Sequence, residues 1–188
     1  MKRQVISILE LSRDPVLVGR DEGEAMRGRL MQRLDAQAGA VLFVLDFAGI
    51  TVATASYLDE ITLKLRPVLR KRTAFPFIAN LAKRVAEEFE SLLTRANESF
   101  LVGETDAAGA VVDARILGVL ESKLRETYDL VKSKNEAGAT ELHEEFVSTD
   151  KVGPTAWNNR LNTLADKGFL QEIPIGRAKK YRPLMETR

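Results

Sequence analysis

Apolar residues change their period along this chain, and each change marks an element. Residues 5–11 are rich in β-branched and aliphatic side chains and predict a strand. Over residues 21–37 the apolar positions are Met26, Leu30 and Leu34, a spacing of four that predicts a helix. Residues 40–47 form an almost unbroken apolar run between Gly39 and Gly49, the pattern of a strand buried on both faces. A helix is predicted from Ser56 to about Arg66, with Leu58, Ile61 and Leu65 on one side and Pro67 ending or kinking it. Residues 75–79 predict a short strand. Asn80 is placed to N-cap a helix whose stripe is Leu81, Val85, Phe89, Leu92 and Ala96. Residues 99–103 and 110–112 flank a Gly/Asp turn and predict a hairpin. Strands alternating with amphipathic helices imply a small α/β domain over residues 1–112, with a mixed sheet covered by helices.

The second half reads differently. Asp113 is expected to cap a long helix over 113–134, with Leu117, Leu120, Leu124, Tyr128 and Val131 on one stripe and Asn135 and Gly138 stopping it. A short helix follows Thr140, with Leu142 and Phe146 inward. Pro154, a residue favoured at the first helical position, opens a third. Its inward face is Trp157, Leu161, Leu164 and Ala165, and Gly168 closes it. Residues 169–173 and 180–182 then predict two strands around Gly176-Arg177. Residues 113–188 therefore form the second domain. No Gly/Ser/Pro linker separates the halves, so the long helix is expected to join them rigidly.

Composition narrows the chemistry. The chain has no cysteine and a single histidine, His143, which excludes disulfides, thiolate nucleophiles and multi-histidine metal sites. His143 is expected to be a half-buried or surface helix residue. No cofactor or metal is expected, and an enzyme is the least favoured class. The opening residues enter an alternating segment instead of a leader, and no apolar run is long enough to span a bilayer. A cytoplasmic protein without a membrane partner is the expectation. The net charge of +1 hides an asymmetry: residues 151–188 hold eight Lys/Arg and three Asp/Glu, a net of +5, against −4 for the remainder. A basic segment joined to an acidic body is a compositional sign of a nucleic-acid module.

With Trp157, Leu161 and Leu164 inward, the third helix leaves Thr155, Asn158, Asn159, Asn162 and Thr163 outside or flanking. Asparagine is a poor helix-interior residue but pairs bidentately with adenine in the major groove. Arg160 could reach phosphate or lie along the protein surface. In the hairpin Arg177, Lys179, Lys180 and Arg182 are placed for phosphate or minor-groove contact. This segment, from about residue 116 to 184, resembles winged helix-turn-helix DNA-binding domains. The resemblance implies double-stranded DNA as partner. Such domains often work as homodimers, and the 113–134 helix offers an interface, although packing within one chain explains its periodicity equally well.

Upstream, Asp46-Phe47-Ala48-Gly49-Ile50 follows the buried strand, and Ser56-Tyr57-Leu58-Asp59-Glu60 opens a helix. This step resembles the STAS domains of sulfate transporters and anti-sigma-factor antagonists, and more closely the STAS-like domains of unknown function. The resemblance covers about residues 5–102. It implies a signal-receiving domain and a partner kinase or ATPase, with Ser56 at the position phosphorylated in the antagonists. The chain departs from their Asp-Ser-Ser-Gly, having Thr54-Ala55-Ser56-Tyr57 instead. Without phosphorylation, Thr54 or Ser56 is expected to be an N-cap, and Asp59 and Glu60 to complement the helix dipole from the first turn. Residues 19–23 lack the spacing of a phosphate loop. The leading expectation is a DNA-binding regulator with a STAS-like input domain. The alternative is an interaction switch of the anti-sigma-antagonist type that never touches DNA.

Overall fold

Walking the first unit, Met1–Val119, β1 (Lys2–Ser7) is followed by α1 (Ile8–Ser12), β2 (Val16–Leu17), α2 (Arg20–Arg33), β3 (Val41–Asp46) and β4 (Val52–Ala53). Then come α3 (Ala55–Ile61), α4 (Arg66–Arg70), β5 (Ala74–Ala79), α5 (Lys83–Ala96), β6 (Ser99–Thr105) and β7 (Val111–Gly118). The computed structural model describes residues 1–34, 39–146, 152–176 and 178–185. A mixed five-stranded sheet runs β1-β3-β5-β6-β7, its first four strands parallel and β7 antiparallel to β6. β2 and β4 form a separate parallel pair. Each parallel crossover steps to the next position in the same direction. Right-handed connections of that kind keep the helices on one face.

The core sits between that face and the helices. Phe43, Leu45, Ile78, Phe100 and Val102 of the sheet pack with Met26 and Leu30 of α2, Leu58 and Ile61 of α3, and Val85, Phe89 and Leu93 of α5. On the opposite face Leu42, Val44, Phe75, Phe77 and Leu101 are buried as well. The continuous apolar run of β3 is thus buried on both sides, as its composition implied.

Four local expectations are corrected. Residues 8–11 are helical, because the Ser7 hydroxyl accepts the Glu10 amide at 3.2 Å and turns the chain after β1. Pro67 opens α4 from within its first turn instead of ending the preceding helix. Asn80 is not a helix cap. It lies in the left-handed region at φ +58, and Ala82 occupies the cap position of α5. The predicted 113–134 helix is in fact the strand β7 followed by α6 (Ser122–Lys134). Pairing with β6 puts Leu117 opposite Phe100 and Ile116 opposite Leu101, and this long-range ladder overrides the helical spacing of 117, 120 and 124. The strand stops at Gly118 (φ +87), where a Cβ would lie 2.4 Å from the Glu98 carbonyl. The division between units therefore falls after Val119, not after residue 112, and no continuous helix crosses it.

The second unit, Leu120–Glu186, holds α6, α7 (Ala139–Phe146), α8 (Pro154–Asp166) and the antiparallel hairpin β8 (Leu170–Ile175) and β9 (Ala178–Pro183). Ala137 adds a single bridge to Tyr181, each amide donating to the other's carbonyl at 2.9–3.0 Å. Leu124, Tyr128 and Val131 of α6, Leu142 of α7, and Trp157, Leu161 and Leu164 of α8 are buried with Phe169 and Tyr181. Pro154 stands in the first turn of α8, and Gly168 at φ +82 lets the chain leave it. Among the described residues no helix is long and apolar enough to cross a membrane.

Candidate nucleic-acid interface

The geometry of α8 follows from its buried stripe. With Trp157, Leu161, Leu164 and Ala165 inward, Thr155 and Asn159 are exposed and Asn158 is half-buried. The Arg160 guanidinium lies over the Trp157 ring, 4.9 Å from its centroid. That contact aligns its stem along the helix and holds the charge near the surface. Asn162 differs from its neighbours. Its Oδ1 accepts the Tyr181 hydroxyl at 2.6 Å, tying the middle of α8 to β9. Asn162 thus has the local structural rationale that sequence spacing did not reveal. Burial, reinforced by the charges of Glu172 and Asp166, pushes the Tyr181 phenol up and keeps it a donor.

The hairpin carries the cations. Lys179 pairs with Glu172 at 3.1 Å, and Lys180 with Glu136 at 3.2 Å. Exposed Arg182 donates to Gln171 Oε1 at 3.3 Å. Arg177, also expected at this site, lies outside the described residues. Exposed ion pairs are worth about 0–1 kcal/mol, so these lysines are exchangeable for an external anion. Between the hairpin and the two helices lies an open cavity of about 640 Å³, lined by Thr140, Pro154, Thr155, Asn158, Lys179 and Lys180. Thr155, Asn158, Lys179 and Lys180 therefore share one concave surface, with Asn159 exposed on the same helix. His143, half-buried in α7, has its Nδ1 3.0 Å from the Val152 carbonyl oxygen.

The other candidate region is the start of α3. Thr54 occupies the cap position but makes no side-chain cap bond, so the expected N-cap role is absent. Instead the Glu88 carboxylate of α5 accepts the Ala55 amide at 3.1 Å, and the Thr54 and Ser56 hydroxyls are 3.3 Å apart. Sequence reading missed Glu88 because it lies 33 positions downstream. Asp59 and Glu60 fall beyond the first turn, and their role is ionic. Glu60 is 1% exposed, 2.9 Å from Arg27 and 3.1 Å from Arg20, and bonded to Lys64. Burial alone would push its carboxyl up. The Lys64 bond and charge, with Arg27 and Arg20, hold it below the usual carboxylate range.

Asn80 organises the sheet's C-terminal edge. Its Nδ2 donates to Asp46 Oδ1 and Thr105 Oγ1, both at 2.8 Å, and its Oδ1 accepts the Thr105 amide at 3.0 Å. Asp46 also accepts the Ala48 amide at 2.9 Å, which fixes the turn after β3. The Asp-Phe-Ala-Gly step singled out in the sequence is therefore a structural clasp joining β3, β5 and β6. No protein-family model and no curated protein sequence matches the chain.

Proposed function

We propose that the second unit is a winged helix that binds double-stranded DNA, and that the first unit is a STAS-like domain carrying the regulatory input. The observation that supports this most is the shared concave surface. It combines small polar side chains at the start of α8 with lysines of the β8–β9 hairpin. In this reading α8 enters the major groove, with Asn158 and Asn159 facing base edges and Thr155 at a base edge or phosphate. Lys179, Lys180, Arg182 and Arg177 neutralise flanking phosphates, and Arg160 adds a backbone contact from its perch on Trp157. Asn162 acts as a positioning residue, holding the hairpin against α8 through Tyr181.

Regulation in this reading acts by protein docking near residues 50–60. Phosphorylation of Ser56 is disfavoured as the signal, because nearly two negative charges would arrive beside the Glu88 carboxylate.

A fluorescence titration of the purified protein against genomic fragments tests the reading. Binding to a subset should be at least tenfold tighter than to unrelated duplex, and Arg177→Ala with Lys180→Ala should weaken both. Equal binding to all duplexes, unchanged in the double variant, would favour the interaction switch that leaves DNA alone.

A further inference from the structure

Tyr57 has an unusual environment for a buried phenol. It is 2% exposed, yet among the described residues its hydroxyl has no hydrogen-bond partner. A buried tyrosine hydroxyl ordinarily finds one, because burying it unbonded is costly. The oxygen is not sealed away. Tyr57 lines a cavity of about 200 Å³ in the first unit, where α1, β2, α2 and α3 meet.

The fold builds the walls of this cavity. Gly23 lets α2 lie close to α3, since a Cβ there would be 3.1 Å from Tyr57 Cα. The facing wall is β2, held by the Leu17 carbonyl, which accepts the Thr54 amide at 2.9 Å just before α3. Val16, Leu17 and Val18 make this wall apolar, with Val16 and Val18 exposed at the rim. Helix α2 adds Glu22 and Arg29, which its period places on one face. Arg29 Nη1 donates to the Leu11 carbonyl at 2.9 Å, which anchors the guanidinium and leaves its other N–H groups for a further acceptor. Glu22 is exposed and has no ion pair among the described residues. Both charges act on the phenol. Burial pushes it up to about 12, Arg29 draws it down and Glu22 pushes it up again, so it stays a donor at neutral pH.

The chemistry of the occupant follows from this set. The volume is below the range of about 300–1,000 Å³ usual for drug-sized ligands, so the occupant is small. Arg29 and Tyr57 together match a carboxylate. Glu22, with Asp14 also at the cavity, matches an ammonium. A ligand carrying only an anion would meet two carboxylates, and one carrying only a cation would leave Arg29 unmatched. We infer that this cavity is a binding site for a small aliphatic α-amino acid, whose carboxylate takes the Tyr57 hydroxyl and Arg29, whose ammonium faces Glu22 and whose side chain lies against β2. The site belongs to the first unit and stands independently of DNA binding by the second.

The test is calorimetric titration of the full chain at neutral pH with L-valine, isovalerate and isobutylamine, the last two each keeping one of valine's charges. Valine should bind at least about tenfold more tightly than either. Tyr57→Phe should weaken valine binding about tenfold, with Tm no lower than in wild type because the hydroxyl has no protein bond to lose. Glu22→Gln should bring valine down to the level of isovalerate. Isovalerate or isobutylamine binding as tightly as valine would overturn the assignment, and so would the absence of binding heat for all three. Valine affinity unaltered in Tyr57→Phe would overturn it as well. Glu22 is exposed, so Glu22→Gln carries the test even if Tyr57→Phe fails to fold, and an unchanged preference for valine in that variant would overturn the proposal.

Discussion

Replacing Glu60 with glutamine tests what holds α2 to α3. The carboxylate is 1% exposed and meets three cations. Breaking a fully buried pair costs about 3–5 kcal/mol, because the remaining charge is stranded. Here the partners are not stranded: the side chains of Arg27, Lys64 and Arg20 are 25%, 41% and 55% exposed and can return to water. The Arg27 pair is therefore worth about 1–2 kcal/mol and the other two under about 1 kcal/mol each. Glu60→Gln should destabilise by about 2–3 kcal/mol at pH 7. At about 3–5 °C per kcal/mol for a unit of this size, Tm should fall by about 6–15 °C. The folded pKa lies below the unfolded one, so this contribution is complete above the unfolded carboxylate range near pH 4.5 and is lost as pH falls through the folded value. Wild type and variant should therefore converge in urea melts between pH 6 and pH 3. A gap of the same size at pH 3, or none at pH 7, would refute the ionic account of this contact.

Gly23→Ala should destabilise despite alanine's advantage of about 1 kcal/mol in helices. A Cβ there would lie 3.0 Å from Glu60 Cβ and 3.1 Å from the Tyr57 backbone, atoms that yield only with α3, so a net loss of about 1–2 kcal/mol in chemical denaturation is expected. Asn80→Ala should cost about 2–4 kcal/mol, since it combines a left-handed backbone with three side-chain hydrogen bonds, and Asn80→Gly should recover only the backbone part. Burial pushes the Tyr57 phenol up to about 12. Its neutral form stabilises the fold fully below pH 10, and that contribution is lost as pH rises toward 12, so ultraviolet titration should show a late phenolate that vanishes in Tyr57→Phe. Tyr181→Phe should lower stability by about 1 kcal/mol and weaken DNA binding by freeing the hairpin from Asn162, which a titration of the variant against the best fragment would show.

What could be read along the chain was whatever local pattern decides. The unbroken apolar run of β3 and the four-residue spacing of α2 needed no distant partner. In α8, Pro154, the Trp157-Leu161-Leu164 stripe and Gly168 defined a helix with both ends marked. Failures came where a distant residue outweighs the local signal. Residues 113–118 have acceptable helical spacing, but their ladder with β6 makes them a strand. Asn80 looked like a cap, yet the end of β3, 34 positions earlier, and Thr105, 25 later, draw it into the left-handed region. Glu60 has the spacing of an early-turn acid, but α3 begins at Ala55 and Arg20 reaches the carboxylate from 40 positions upstream. Within the candidate interface the polar face of α8 and the hairpin cations were visible as residue types. The bond that occupies Asn162 was not, because it needs the register of β9.

Sequencing the duplex fragments retained by the purified full-length chain tests the central claim most directly. The account predicts an enriched site containing adenine positions whose preference collapses in Asn158→Ala/Asn159→Ala, each bidentate pair being worth about 1–3 kcal/mol of discrimination. Retained fragments with no common sequence, unchanged by that double variant, would contradict it.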